Sequence, residues 1–322
     1  MNGRIFSSLF IIIILFISCQ NGKSPDKRSE NKIVETKNNI EKKIESFPLP
    51  TIPTMLSSPK EREKYLVQHY WDNFDFNDTS YIHRAEITEQ GWVNYIDLLK
   101  QSPLPEAQRV IKAMMRAIST KNTKVFKYFT ELADKYLYDP NSPLQEEELY
   151  IPILEVMVKT PTLSDAEKIR PKDRLKLALK NRVGQLATDF SYTLISGIKT
   201  NLYRVPGEFT LLFFNNPGCH ACEETINKLK FSVIINQLIT NKRLKIVAIY
   251  PDAEIDEWQK HINDFPKEWI NGYDKGVTIK TKNIYDLKAI PTLYLLDKEK
   301  KVLLKDAFLP EIELYFKKHN IL

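Results

Sequence analysis

Two cysteines three positions apart, Cys219 and Cys222, end the segment Asn216-Pro217-Gly218-Cys219-His220-Ala221-Cys222. Just before it, Phe209–Phe214 (FTLLFF) is an apolar run suited to a strand buried on both faces. After it, Ile226, Leu229, Val233 and Ile234 recur at helical spacing, which predicts a helix from Cys219 to about Leu238. A strand that enters a helix through a C-x-x-C puts the first cysteine at the helix N-terminus. Unpaired backbone N–H groups and the helix dipole favour an anion there. Such a position lowers a thiol's pKa and populates thiolate, the attacking species in disulfide exchange. The second cysteine, one turn later, reaches the same sulfur and can resolve a mixed disulfide. The spacing therefore makes Cys219 the candidate nucleophile and Cys222 the candidate resolving thiol.

Two other readings of the pair stay open. An inert disulfide would close so short a loop that it restrains the unfolded chain by only about 2 kcal/mol. A zinc site would need two further ligands. The sequence offers no second C-x-x-C; His220 lies inside the motif, and His261 and His319 are isolated. No metal and no cofactor is expected.

The surrounding pattern alternates strand and helix. Gly184–Tyr203 holds Ala187-Thr188-Asp189-Phe190 and a Ser196-Gly197 turn. Leu244–Tyr250 (LKIVAIY) reads as a second buried strand, followed by a helix around Ile255–Ile262. Thr292–Leu296 and Val302–Leu304 form a hairpin around Lys298–Lys300, and Pro310–His319 closes as an amphipathic helix. This order, with its C-x-x-C, resembles the thioredoxin-like superfamily over residues 184–322. Ala289-Ile290-Pro291-Thr292 resembles that superfamily's cis-proline loop. The resemblance implies that Pro291 packs against the redox pair and that Ile290 offers main-chain hydrogen bonds to a client strand.

The chain also departs from thioredoxin. Gly218 stands where thioredoxin has tryptophan, and His220-Ala221 replaces Gly-Pro. Phe213 takes the place of a buried aspartate, which leaves the proton acceptor for Cys222 unassigned. Glu223 and Glu224 lie close in sequence, but acids in a first helical turn commonly serve only the dipole. His220 has two open readings: it raises the redox potential by stabilising thiolate, or it is simply exposed.

From Pro48 to Arg182 the periodicity is helical. Candidate helices cover Ser58–Trp71, with Ser58 as N-cap and Pro59 at the first position, then Ala85–Lys100, Pro105–Ser119, Val125–Tyr138, Glu146–Lys159 and Pro171–Arg182. Each carries an apolar stripe for one buried face. Tyr70, Trp71, Phe74, Phe76 and Tyr81 read as core rather than as a client surface. His69 and His83 lack partners for a metal. The cluster Arg170, Lys172, Arg174, Lys176, Lys180 and Arg182 reads as a solvated helix face. With a net charge of +6 spread over 322 interleaved residues, nucleic acid is not an expected partner. The fold class expected is therefore an all-α helical domain (48–182) followed by an α/β thioredoxin-like domain (184–322). This order is similar to envelope lipoproteins with an uncharacterised N-terminal domain.

The N-terminus, MNGRIFSSLFIIIILFIS, has one early cation, Arg4, and an apolar stretch too short to span a bilayer comfortably. Phe16-Ile17-Ser18-Cys19 resembles a lipobox with phenylalanine at the usual aliphatic position. The expectation is a lipoprotein signal peptide over 1–18, an acylated Cys19 that anchors the chain in the lipid bilayer, and a polar tether over 19–47 spanning roughly 30 Å. That places the protein at the bacterial cell envelope, lipid-anchored and facing the periplasm. The function expected is a membrane-anchored thiol–disulfide oxidoreductase that reduces or exchanges disulfides in exported proteins, with electrons from a membrane thiol donor. The alternative is a partner-binding envelope lipoprotein whose thioredoxin-like domain is a scaffold. A peroxidase is disfavoured for want of a peroxide site.

Overall fold

Helix-start chemistry is explicit at Ser58. Its hydroxyl accepts from Glu61 N–H at 3.2 Å, and the Glu61 carboxylate accepts from Ser58 N–H at 3.2 Å, with Pro59 opening the helix. The computed structural model describes residues 46–321, so Cys19, the signal segment and most of the tether lie outside the described residues. Six α-helices come first among them: α1 (Pro59–His69), α2 (Ala85–Gln101), α3 (Leu104–Ser119), α4 (Thr123–Ala133), α5 (Glu147–Lys159) and α6 (Ile169–Ala178). Their stripes meet in one core in which Trp92, Ile96, Phe126, Phe129 and Leu154 are fully buried. Phe129 sits among the rings of Trp71, Phe74, Phe76 and Trp92, with centroids 5.3 to 6.1 Å away. The aromatic cluster of Tyr70, Trp71 and Phe74 is buried here, as expected of core. His69 pairs with Asp72 at 2.7 Å, and no metal-holding cluster occurs among the described residues.

The second half is a seven-stranded sheet in the order β2-β1-β5-β4-β3-β6-β7. Its strands are β1 (Ser191–Leu194), β2 (Lys199–Asn201), β3 (Phe209–Phe214), β4 (Leu244–Tyr250), β5 (Ile270–Tyr273), β6 (Thr292–Leu296) and β7 (Val302–Lys305). β3 runs parallel to β4 and antiparallel to β6, and β4 runs parallel to β5. Every residue of β3 is buried, because both faces of the sheet are covered. Leu211 and Phe213 face one core with α7 (His220–Phe231), α8 (Val233–Thr240) and α11 (Leu309–Lys318). Leu212 and Phe214 face the other, with Phe190, Tyr285 and Tyr294. Two short helices, α9 (Ile255–Lys260) and α10 (Thr278–Thr281), complete the half.

Several boundaries differ from the sequence reading. The helix after the cysteines is two helices, because Ser232 ends α7 and its hydroxyl caps Ile235 N–H at 3.2 Å to start α8. That break turns Val233 outward, 79% exposed, instead of inward. α4 ends at Ala133 and passes into a wider π turn over Asp134–Tyr138, where Asp139 N–H donates to Asp134 O at 3.1 Å. α6 stops at Ala178 rather than Arg182.

The basic cluster is likewise not simply a solvated face. Arg170, Lys172 and Lys176 are exposed, but Arg174 reaches inward to Asp134 at 2.6 Å and lies 3.9 Å from the Tyr138 ring centroid. Arg182 grips Glu148 through two nitrogens, and Lys180 caps the carbonyl of Asn283. The described residues form one compact unit, and its seam is polar. Lys305 of β7 donates to the carbonyls of Ala178 and Lys180 at 3.1 and 2.8 Å and pairs with Glu147. Each half thus buries its own apolar core, and charged side chains join them.

Candidate active site

The end of β3 and the start of α7 build the site. Gly218 adopts φ +68, a left-handed conformation in which an L side chain is strained although a Cβ there would meet nothing within 4 Å. Backbone conformation therefore accounts for glycine where thioredoxin has tryptophan. The turn delivers Cys219 to the N-cap of α7. There its sulfur accepts from Cys222 N–H at 3.3 Å, as the helix N-terminus predicts. Both cysteines are free thiols, and the sulfurs lie 2.7 Å apart with Cys222 as donor.

Their surroundings differ. Cys219 is half-buried, whereas Cys222 is 2% exposed and belongs to the core that includes Phe213 and Leu229. Burial, with the hydrogen bond to Cys219 second, pushes the Cys222 thiol up to about 12. The position occupied in thioredoxin by an aspartate holds Phe213, whose ring packs 6.5 Å from that of Trp269. A carboxylate there would have to be desolvated among rings.

The peptide bond between Ile290 and Pro291 is cis, in the loop that enters β6. The Ile290 carbonyl oxygen lies 3.8 Å from Cys219 Sγ, so this loop and the pair are neighbours in space. Thr292, buried at the start of β6, ties the loop back by donating to Ala289 O at 2.6 Å. His220 points into solvent with its side chain 86% exposed, and its Nδ1 is 3.6 Å from Glu224 Oε1.

Sequence reasoning missed the support beneath the loop. Lys288, whose side chain is 9% exposed, lies 3.2 Å from Asp306 and 3.7 Å from Asp286. Burial lowers its pKa, but Asp306, Asp286 and Glu147 outweigh that and leave it raised. Lys288 also lies 5.4 Å from the Tyr138 ring centroid, so a residue of the helical half closes over it. The only signal available was the Asp286-x-Lys288 spacing just ahead of Pro291, which has no meaning until the fold buries it.

Comparisons with known proteins agree with this architecture. Residues 18–181 match the family model of a domain of unknown function (DUF5106), and residues 207–302 match a thioredoxin-like family model. The crystal structure of a thioredoxin-like protein from Bacteroides caccae ATCC 43185 is 57% identical, with a TM-score of 0.83 over 86% of this chain and 99% of that one. The C-terminal domain of an uncharacterized protein from Bacteroides fragilis NCTC 9343 is 62% identical over 42% of this chain and 98% of that one, with a TM-score of 0.42. A domain of a possible thiol-disulfide isomerase from Cytophaga hutchinsonii ATCC 33406 is 25% identical, covering 44% and 95% of the two chains with a TM-score of 0.38. No curated protein matches the chain.

Proposed function

The chain belongs to the thioredoxin-like proteins that carry a DUF5106 domain ahead of the redox fold, and from that premise we propose that it is a thiol–disulfide oxidoreductase acting on exported proteins at a bacterial envelope. The observation that carries the reading is the Cys219 sulfur, which accepts from Cys222 N–H at 3.3 Å beside the Ile290 carbonyl. Dithiol and fold together favour exchange over an inert crosslink.

In this reading the Cys219 thiolate attacks one sulfur of a client disulfide. A Cys219–client S–S bond forms, the client S–S bond breaks, and the departing sulfur takes a proton from water. Cys222 then loses its proton and attacks Cys219 Sγ. The Cys219–Cys222 disulfide forms, and the second client sulfur leaves as thiol. Two electrons pass from the pair to the client, and a membrane thiol donor returns them. The envelope otherwise favours disulfides, so a reductase there needs that supply. Acylated Cys19 would hold the enzyme at the bilayer. Replacing Cys19 with alanine should abolish fatty-acid labelling and membrane retention, and unchanged labelling would refute the lipid anchor.

The activity itself is tested by insulin reduction with the soluble mature chain. Cys219→Ser should lower turnover by about a thousandfold or more, while Cys222→Ser should accumulate a mixed disulfide on Cys219. Full turnover in Cys219→Ser would refute the reading.

A further inference from the structure

Beside the pair lies a cleft of about 490 Å³ that the exchange chemistry does not by itself require. It is lined by Ile290 and Pro291 of the cis-proline loop, by Ala221 of the C-x-x-C, and by Phe308 and Leu309 where α11 begins. Pro140 and Asn141 also line it, and they come from the helical half. The Asn141 segment is held in place. Its N–H and Nδ2 donate to Asp139 Oδ1 at 2.8 and 3.2 Å, and Ser142 Oγ donates to Tyr136 O at 2.7 Å. Gln145 Nε2 donates to Asp306 Oδ2 at 2.9 Å, which fastens the same segment to the end of β7.

The charges on the lining are already matched. Lys228 pairs with Glu224 at 3.2 Å, and Asp306 pairs with Lys288 at 3.2 Å. Phe308, by contrast, is 61% exposed, although its helix buries Ile312 and Phe316 completely. A cleft with neutralised charges and an unburied ring favours an apolar occupant, since an acidic one would lose water without gaining a partner.

Covalent geometry names that occupant. A mixed disulfide holds the client cysteine's Cα about 5.5–6 Å from that of Cys219. Each following residue is about 3.8 Å further along the chain. The residues flanking the client cysteine are therefore within reach of Ile290, whose carbonyl lies 3.8 Å from Cys219 Sγ and whose lining continues into the cleft. We propose that this cleft receives an apolar side chain from the residue next to the client's disulfide-bonded cysteine, so that Asn141 and Phe308 select which disulfides are reduced. The proposal rests on the redox reading above and assigns the helical half a part in choosing clients.

The test uses two synthetic peptide disulfides that differ only in leucine or aspartate beside the cysteine. Hydroxyethyl disulfide, which has no flanking residue, reports on the pair alone. The wild-type chain should reduce the leucine peptide with kcat/KM about tenfold above the aspartate peptide. Asn141→Trp, which fills the cleft from its rim, should bring that ratio to about one. Phe308→Lys should raise the rate on the aspartate peptide several-fold, a gain that misfolding does not produce. Equal wild-type rates on the two peptides, with hydroxyethyl disulfide still reduced, would overturn this inference alone. So would a ratio unchanged in both variants. No reduction of hydroxyethyl disulfide by the wild type would overturn the redox reading and this inference with it.

Discussion

The helical half and the sheet half both bury large rings, yet they treat reactive groups in opposite ways. In the first, Phe129 and its aromatic neighbours form a core closed to solvent, and the polar groups that matter lie on its outer rim. In the second, a core just as tight stops abruptly at the end of β3. There a left-handed glycine and a helix N-terminus bring one sulfur to the surface while its partner stays inside. Packing alone is enough to hold helices together. Chemistry needs a place where the backbone leaves N–H groups unpaired beside a titratable side chain.

That contrast can be broken by exchanging the effects of mutations between the two halves. The largest expected effect is on stability. Phe129→Ala should cost roughly 3–5 kcal/mol by opening a cavity among Trp71, Phe74 and Trp92. Urea unfolding followed by tryptophan fluorescence checks this, and disulfide-exchange rates per folded molecule should be unchanged. Gly218→Ala should show the reverse partition. Forcing an L side chain to φ +68 costs only about 1–2 kcal/mol, but it moves the turn that presents Cys219. Insulin reduction should fall about tenfold with little change in the unfolding midpoint. A Phe129→Ala protein with altered exchange rates, or a Gly218→Ala protein with normal ones, would dissolve the distinction.

How much of this was visible in the sequence follows from the same contrast. The C-x-x-C and the strand ahead of it are local features whose chemistry depends on neighbours a few residues away, and they were legible; the cis-proline loop, which meets Cys219 across 71 positions, was legible only through its resemblance to a known loop. β5 was not, because Ile270–Tyr273 is short and its Asn271-Gly272 reads as a turn. The break at Ser232 was hidden by an unbroken apolar stripe, although serine is itself a capping residue. The seam was the least legible part. Arg174, Arg182, Lys288 and Lys305 look like solvated charge in the chain, and only the docking of distant segments turns them into ion pairs. The cleft wall at Pro140 and Asn141 was out of reach for the same reason, since it stands far in sequence from the loop it faces.

The two thiols are unequal: one sulfur is offered to clients and the other is withheld. Alkylation of the reduced chain with iodoacetamide, read by mass spectrometry across a pH series, tests it directly. Cys219 should be labelled at neutral pH. Cys222, with its thiol held up to about 12 by burial, should stay unlabelled there and begin to react only as the pH climbs far into the alkaline range. Equal labelling of both cysteines at pH 7, or labelling of Cys222 first, would contradict it.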